Sequence, residues 1–127
     1  MKNEIWKDIN GYEGHYQVSN LGRIKSVKFN KEKMLKPFLT HLKYHRVKLN
    51  KNNKAYNYFV HRLVANNFLP TLDKTLEINH KDKFRTNNHL SNLEWVTHKE
   101  NMKHKKSYVK VDNSRYFVDY LYTLIPL

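Results

Sequence analysis

Four polar residues in the second half of the chain have side-chain types and a spacing that could do chemistry together. Asn79 and His80 are adjacent, Asn92 follows His80 after eleven intervening residues, and Asn101 follows Asn92 after eight. An imidazole exchanges a proton near neutral pH, and amide oxygens can bind hard cations. Each residue also has an ordinary interpretation: His80 as a surface histidine, Asn79 and Asn92 as turn or capping residues, and Asn101 as an exposed helix residue.

The surrounding sequence predicts the elements that would bring these side chains together. They are a strand, a polar loop, a second strand and a helix, at residues 75–80, 81–91, 93–97 and 98–106. Thr97 and Glu100 have the spacing of a capping box at the start of that helix. A helix packed across such a ββ hairpin would place Asn101 opposite the strand end that carries Asn79 and His80.

The first half of the chain predicts antiparallel strands joined by turns. The expected strands lie at residues 15–19, 23–29, 44–50 and 55–60, and a short amphipathic helix follows at residues 61–69. Basic and apolar residues alternate in two of these strands, which would place positive charge on an open sheet face. That face could lie in a DNA groove or simply be solvated. The fold class expected from the whole pattern is α+β.

Composition indicates a polyanionic partner and excludes cysteine chemistry. The 127 residues carry 24 Lys and Arg against 11 Asp and Glu, and residues 1–60 hold 13 of the basic and only four of the acidic side chains. Such charge favours phosphate contacts, as does the excess of 19 lysines over five arginines. The absence of cysteine excludes disulfides, zinc thiolates and a thiol nucleophile. We find no signal-peptide core or membrane span, and therefore expect an intracellular protein in the host cytoplasm, with DNA and not secreted.

Three segments resemble a known family. The segment INHKDKFRTNNHLSNLEWVTHKENMKH at residues 78–104 resembles the ββα-metal (His-Me finger) core of HNH endonucleases, with His80, Asn92 and Asn101 at the H, N and final N positions. HRLVANNFLP before it resembles the entry helix of phage and intron-encoded HNH homing endonucleases. EIWKDINGYEGHYQVSNLGRIKS near the start resembles the N-terminal DNA-binding module that accompanies them.

The resemblance implies a role for each of the four polar residues. His80 would be the general base, and Asn79 and Asn101 would ligate one divalent ion, Mg²⁺ or Mn²⁺. Asn92 would support catalysis by tying the loop and orienting the histidine. Two amide ligands bind a hard cation weakly, so we expect metal binding to be markedly stronger when the phosphate of bound DNA completes the site.

The same resemblance implies an organisation and a set of DNA contacts. We expect a β-rich DNA-binding module at residues 1–59, the HNH core at 60–106 and a tail at 107–127 that packs on the core and is too short for a helix-turn-helix module. The candidate DNA contacts are basic residues of the strands and of the catalytic helix: Arg23, Lys25, Arg46, Lys48, Lys103, His104 and Lys105.

The function implied is hydrolysis of double-stranded DNA by a divalent-metal-dependent endonuclease. A monomer would nick one strand, and two copies meeting as a dimer would cut both. One alternative is a DNA-binding protein whose nuclease site is inactive or vestigial. A second alternative, an RNA-binding protein of the ribosomal type, does not explain the ordered His80, Asn92 and Asn101.

Overall fold

A computed structural model describes the backbone of residues 3–105, 108–111, 114–118 and 124–126, and the side chains of residues 3–103. The described strands form four antiparallel sheets, and two α-helices accompany them. The predicted α+β class is confirmed. Among the described residues, no helix is long and apolar enough to cross a membrane.

The N-terminal sheet has four short strands in the order β1-β2-β3-β4. They are β1 (Trp6–Asp8), β2 (Tyr16–Ser19), β3 (Ile24–Ser26) and β4 (Lys33–Met34). The strand predicted at residues 23–29 is shorter in the structure because the chain turns into a 3₁₀ segment at Lys28–Asn30, where Phe29 has a φ of 58°. That left-handed backbone cannot continue a strand.

The second sheet has the order β5-β6-β7 and supplies the long hairpin of the fold. Its strands are β5 (Phe38–Leu39), β6 (His45–Lys51) and β7 (Lys54–Phe59). The hairpin turn uses Asn52 and Asn53, with φ values of 53° and 61°. Two successive left-handed residues match the right-handed twist of the flanking strands, and asparagine tolerates this conformation better than most side chains.

The predicted helix, strand pair and second helix are all present. They are α1 (Val60–Phe68), β8 (Glu77–His80), β9 (Leu93–Val96) and α2 (His98–Lys105). At the start of α2 the backbone N–H of Glu100 donates to Thr97 Oγ1 at 3.1 Å, as the capping-box spacing predicts. The tail contains the fourth antiparallel sheet, of β10 (Tyr108–Val111), β11 (Ser114–Val118) and β12 (Leu124–Pro126).

One hydrophobic core joins the N-terminal sheet to the ββα unit. Val18 and Ile24 of that sheet, Leu49 of β6, Val64 of α1 and Leu93 of β9 belong to the same buried cluster. Leu93 lies opposite His80 in the β8–β9 ladder. The strand that carries the candidate catalytic histidine is therefore packed on residues from both halves of the chain.

Leu49→Ala should lower the free energy of unfolding by about 2–5 kcal/mol, because it removes a fully buried side chain and leaves a cavity. Leu72→Ala is the matched control, since Leu72 is 99% exposed, and should change stability by less than about 0.5 kcal/mol. Urea denaturation of both variants measures the difference. Equal losses would contradict the burial assigned to β6.

Candidate active site

The β8–β9 hairpin and helix α2 bring the four predicted polar residues to one region. Asn79 and His80 end strand β8, where they lie opposite Glu94 and Leu93 of β9. Helix α2 packs against β8. Asn79, His80, Asn92 and Asn101 are all buried, which excludes the interpretations of His80 as a surface histidine and of Asn101 as an exposed helix residue.

Asn92 closes the loop between the two strands. Its Oδ1 accepts a hydrogen bond from the backbone N–H of Asp82 at 3.0 Å, and its Nδ2 donates to Asp82 Oδ1 and to the carbonyl of Asn87, both at 2.9 Å. Asp82 in turn accepts from Asn87 Nδ2 at 2.7 Å. Both ends of the Asn92 amide are used within the loop, which is the arrangement that a supporting residue requires.

His80 is held in one orientation by Asn88. The ring is 1% exposed, and its Nε2 lies 2.9 Å from Asn88 Oδ1. Since an amide oxygen only accepts hydrogen bonds, Nε2 carries the proton and Nδ1 is the basic nitrogen of the neutral ring. Burial is the main influence on the pKa of His80 and lowers it below the ordinary value, against the opposing effects of Asn88 and Asp82. The imidazole is therefore neutral at pH 7.

Each of the two asparagines predicted to bind metal donates a hydrogen bond from its amide nitrogen to a glutamate. Asn79 Nδ2 donates to Glu94 Oε1 at 3.0 Å, and Asn101 Nδ2 donates to Glu77 Oε1 at 2.6 Å. The other oxygen of Glu77 lies 2.6 Å from His98 Nδ1. These hydrogen bonds fix which end of each amide is the nitrogen.

The amide oxygen of Asn79 has no hydrogen-bond partner among the described residues, although it is buried. A buried acceptor without a partner costs about 1–3 kcal/mol, so such an atom calls for an explanation. A cation bound at this oxygen would satisfy it. The described residues contain no cluster of three or more acidic or histidine side chains suited to a metal.

A cleft of about 340 Å³ opens beside the hairpin and reaches His61 of α1. Its lining residues come from α1, β8, α2 and their neighbours: Tyr44, Phe59, His61, Arg62, Leu76, Glu77, Ile78, Trp95 and Asn101. The His61 ring centroid lies 5.1 Å from that of His80. Burial, with smaller effects from His80 and Arg62, lowers the pKa of His61 to about 3. Two neutral imidazoles thus lie in edge-to-face contact, and that of His61 lines the cleft.

The basic residues predicted to bind DNA differ in how they are held. Lys25 is largely buried, pairs with Glu32 at 3.1 Å and lies 4.2 Å from the ring centroid of Trp6. Arg23 pairs with the carboxylate of Glu4. These partners hold both cations beside Trp6 and leave Arg23 the more accessible of the two.

The remaining candidates lie on β6 and α2. Lys48 and Lys103 are exposed, and the guanidinium of Arg46 lies 4.7 Å from the ring centroid of Phe59. The side chains of His104 and Lys105 lie outside the described residues. The DNA-binding role of every member of this set stays a prediction.

Sequence reasoning missed two side chains that the structure places at the site. Asn88 gave no signal of its own within a polar loop rich in asparagine, and its bond to His80 depends on the fold of that loop. Arg62 lines the cleft. Its position directly after His61 in the entry-helix segment is the signal that could have found it.

Two known families match successive parts of the chain. The NUMOD4 motif matches residues 4–50, and the HNH endonuclease family matches residues 58–103. DNA endonuclease I-HmuI of Bacillus phage SP01 is 46% identical over 102 residues, which cover 80% of this chain and 58% of that protein. H-N-H endonuclease F-TflII of Escherichia phage T5 is 36% identical over 99 residues, which cover 76% of this chain and 50% of that protein.

A solved structure described as "DNA binding and cleavage by the HNH homing endonuclease I-HmuI" is similar to this fold. The TM-score is 0.73 at 46% sequence identity, over 80% of this chain and 57% of that one. This chain therefore spans between a half and three fifths of the relatives compared here. The residues that match the HNH endonuclease family include Asn79, His80, Asn92 and Asn101.

The depressed pKa of His61 should make folding sensitive to mild acid. Between pH 6.5 and about 3 the unfolded chain binds a proton at this ring that the folded protein does not, so the free energy of unfolding falls as pH drops below 6.5. We expect a contribution of up to about 1.4 kcal/mol per pH unit from His61 alone. Urea denaturation at pH 7, 6 and 5 measures the slope.

His61→Gln should have a shallower slope of stability against pH than the native protein. His41→Gln, at an exposed histidine, should keep the native slope. A native slope in His61→Gln would show that His61 does not titrate in this way.

Proposed function

Since this chain belongs to the HNH homing endonuclease family, we propose that it is a divalent-metal-dependent endonuclease that hydrolyses phosphodiester bonds of double-stranded DNA. One observation carries the proposal: His80 is buried and held in one orientation at the end of strand β8. Asn79 lies beside it on the same strand, and helix α2 packs against that strand. A net charge of +13 supports a polyanionic substrate. We place the protein in the host cytoplasm, together with DNA.

In this proposal His80 is the general base. Its Nδ1 takes a proton from the water that attacks the scissile phosphorus, while Asn88 holds Nε2–H and so keeps the ring in the required tautomer. Burial keeps the imidazole neutral and ready to accept that proton at pH 7. Asn92 contributes indirectly by closing the loop that contains Asn88.

Asn79 and Asn101 would hold the divalent ion through their amide oxygens. The buried Asn79 Oδ1 without a partner among the described residues fits this assignment, and oxygen ligands suit Mg²⁺ or Mn²⁺. When bound, the ion would stabilise negative charge on the phosphate and on the leaving 3′ oxygen. Glu94 and Glu77 hold the amide nitrogens and add negative charge one shell away from the ion, as outer-shell carboxylates commonly do.

The proposed grip on DNA combines the N-terminal module, residues 1–59, with the cations around the HNH core, residues 60–106. Arg23, Arg46 and Lys48 belong to the first group and Lys103 to the second. Lysine-rich surfaces bind the phosphate backbone more than they read bases. We propose a monomer that nicks one strand, and two copies where both strands are cut.

His80→Ala should lower the rate of plasmid relaxation by about 10²–10⁴-fold with Mg²⁺ or Mn²⁺ present, because it removes the general base. His80→Gln fills most of the buried volume and should lose activity to a similar extent. The assay measures conversion of supercoiled plasmid to the nicked form, with DNA affinity measured in parallel.

His41→Ala is the matched control, as His41 is exposed and outside the site, and should cleave at the native rate. Equal relaxation by native protein and His80→Ala would overturn the catalytic assignment. Binding of DNA without cleavage at any tested metal would support a vestigial site. A preference for RNA in a salt titration would support the RNA-binding alternative.

Glu94→Ala should weaken Mn²⁺ binding to the protein–DNA complex by about 10–100-fold, because Asn79 then loses both its orientation and a nearby negative charge. Glu94→Gln keeps an acceptor for Asn79 Nδ2 and should lose less. Electron paramagnetic resonance of Mn²⁺ titrations, with uncleavable DNA, measures the affinity without relying on turnover.

Glu100→Gln is the control for charge, because Glu100 is exposed in the first turn of α2. It should leave the affinity for Mn²⁺ within about twofold of native. The DNA-free native protein should bind Mn²⁺ much more weakly than the complex. Tight binding without DNA, or no effect of Glu94→Ala, would contradict the assignment of Asn79 as a ligand.

A further inference from the structure

We propose that the turn at residues 20–22, which joins β2 to β3 in the N-terminal sheet, is a positioning part of the active site. The turn lies against Asn88, and Asn88 holds His80. The proposal rests on the function proposed above and extends it: the N-terminal module would set the geometry of the base in addition to gripping DNA. Gly22 and Asn88 are then positioning residues for His80.

Gly22 touches the backbone of Asn88 so closely that no other residue fits there. A Cβ atom built on Gly22 would lie 2.8 Å from the carbonyl oxygen of Asn88 and 2.9 Å from its Cβ, distances that real Cβ atoms essentially never show. Gly22 also has a φ of +83°, which glycine adopts without a steric penalty. Both the backbone conformation and the close approach therefore require glycine at this position.

A hydrogen bond also joins this turn to the loop that contains Asn88, at the residue two positions after Asn88. The backbone N–H of Leu90 donates to the carbonyl of Asn20 at 2.8 Å. The side chain of Asn20 is itself fixed, because its Oδ1 accepts from the backbone N–H of Ile5 at 2.7 Å. The turn is thus linked through Leu90 to the segment that precedes strand β9, and through Ile5 to the chain that enters β1.

The turn is stiffened from inside by Ser19, which is fully buried. Its Oγ accepts hydrogen bonds from the backbone N–H groups of Leu21 and Arg23, both at 3.1 Å. A turn braced in this way cannot easily yield when its neighbour is displaced. A change at Gly22 would therefore move Asn88 more than it moves the turn.

Asn88 transmits that displacement to His80. Its backbone lies under Gly22 and its side-chain oxygen accepts the Nε2–H of His80 at 2.9 Å, with the residue as a whole buried. A shift of a few tenths of an ångström would lengthen or break this bond and release the ring orientation. Misplacement of a catalytic group by about 1 Å can cost about 10²-fold in rate.

Gly22→Ala and Gly14→Ala form a matched pair that separates this contact from backbone strain. Gly14 has a φ of +78°, but a Cβ there would meet nothing within 4 Å. Both variants bear a left-handed alanine, and only the first displaces Asn88. We expect Gly22→Ala to lose at least about 10-fold in single-turnover cleavage at saturating DNA, while its DNA affinity stays within about 3-fold of native. Gly14→Ala should change neither quantity by more than about 3-fold.

Variants at Asn88 test the second step and remain informative if Gly22→Ala fails to fold. Asn88→Ala removes the acceptor for His80 and should slow cleavage by about 10²-fold at unchanged DNA affinity. Asn88→Asp keeps an acceptor oxygen at the same place and should recover most of that loss. A merely structural role for Asn88 would not distinguish these two replacements in folded protein.

The ring nitrogens of His80 give a readout that does not depend on cleavage. Long-range ¹H–¹⁵N spectra, assigned by loss of the signal in His80→Gln, should show the Nε2–H tautomer in native protein and in Gly14→Ala. Asn88→Ala and Gly22→Ala should show a mixture of tautomers. An unchanged tautomer in both, or native cleavage by Gly22→Ala, would overturn the proposal. If native protein cleaves no DNA, the proposed function fails, while the tautomer shift still decides whether the turn positions His80.

Discussion

The candidate site depends on one constraint: its side chains are uncharged polar groups buried in the protein, and burial obliges each to find a partner. The set consists of Asn79, His80, Asn88, Asn92 and Asn101. A polar group taken out of water without a hydrogen bond costs several kcal/mol in the least favourable cases. This requirement shapes the loop after β8. Both the oxygen and the nitrogen of the Asn92 amide form hydrogen bonds within the loop, and Asn88 is turned toward His80. The conformation of the loop and the orientation of the His80 ring therefore have the same origin.

The same constraint explains why the strand pair does not stand alone. A two-stranded hairpin is marginal in water, and β8–β9 gains its support from the shared core that includes Leu93, Val18 and Ile24. The cross-strand pair of Leu93 and His80 places an apolar anchor directly opposite the histidine. Apolar packing from the N-terminal half thus holds one side of the hairpin, and the polar loop network holds its end.

Much of this could be predicted from the sequence, for a physical reason. The elements α1, β6–β9 and α2 are long enough to show a periodic pattern of apolar residues in the sequence. Their bounds fall within one or two residues of the expected ranges. Strands of two or three residues such as β4 (Lys33–Met34) have no period, because they exist only through pairing with a neighbour. The bond from Asn88 to His80 and that from Asn79 to Glu94 depend on loop shape and strand register. Local sequence does not encode either. The alternation of basic and apolar residues predicted an open basic face. It could not show that Lys25 is largely buried and paired with Glu32.

The use of amides in place of carboxylates has an electrostatic consequence for the proposed reaction. Unpaired carboxylates in the cleft would repel a DNA phosphate, whereas Glu77 in the cleft wall and Glu94 accept hydrogen bonds from the amide nitrogens of Asn101 and Asn79. In the proposed site their charge would lie one shell away from the ion, where it favours a cation while hydrogen bonds engage the carboxylate oxygens. Arg62 on the cleft wall adds the opposite charge. A site of this kind would bind a metal ion weakly in the absence of DNA and would not repel DNA in the absence of metal. It would become strong when a phosphate and a cation arrive together, so that the substrate itself completes the centre that cuts it.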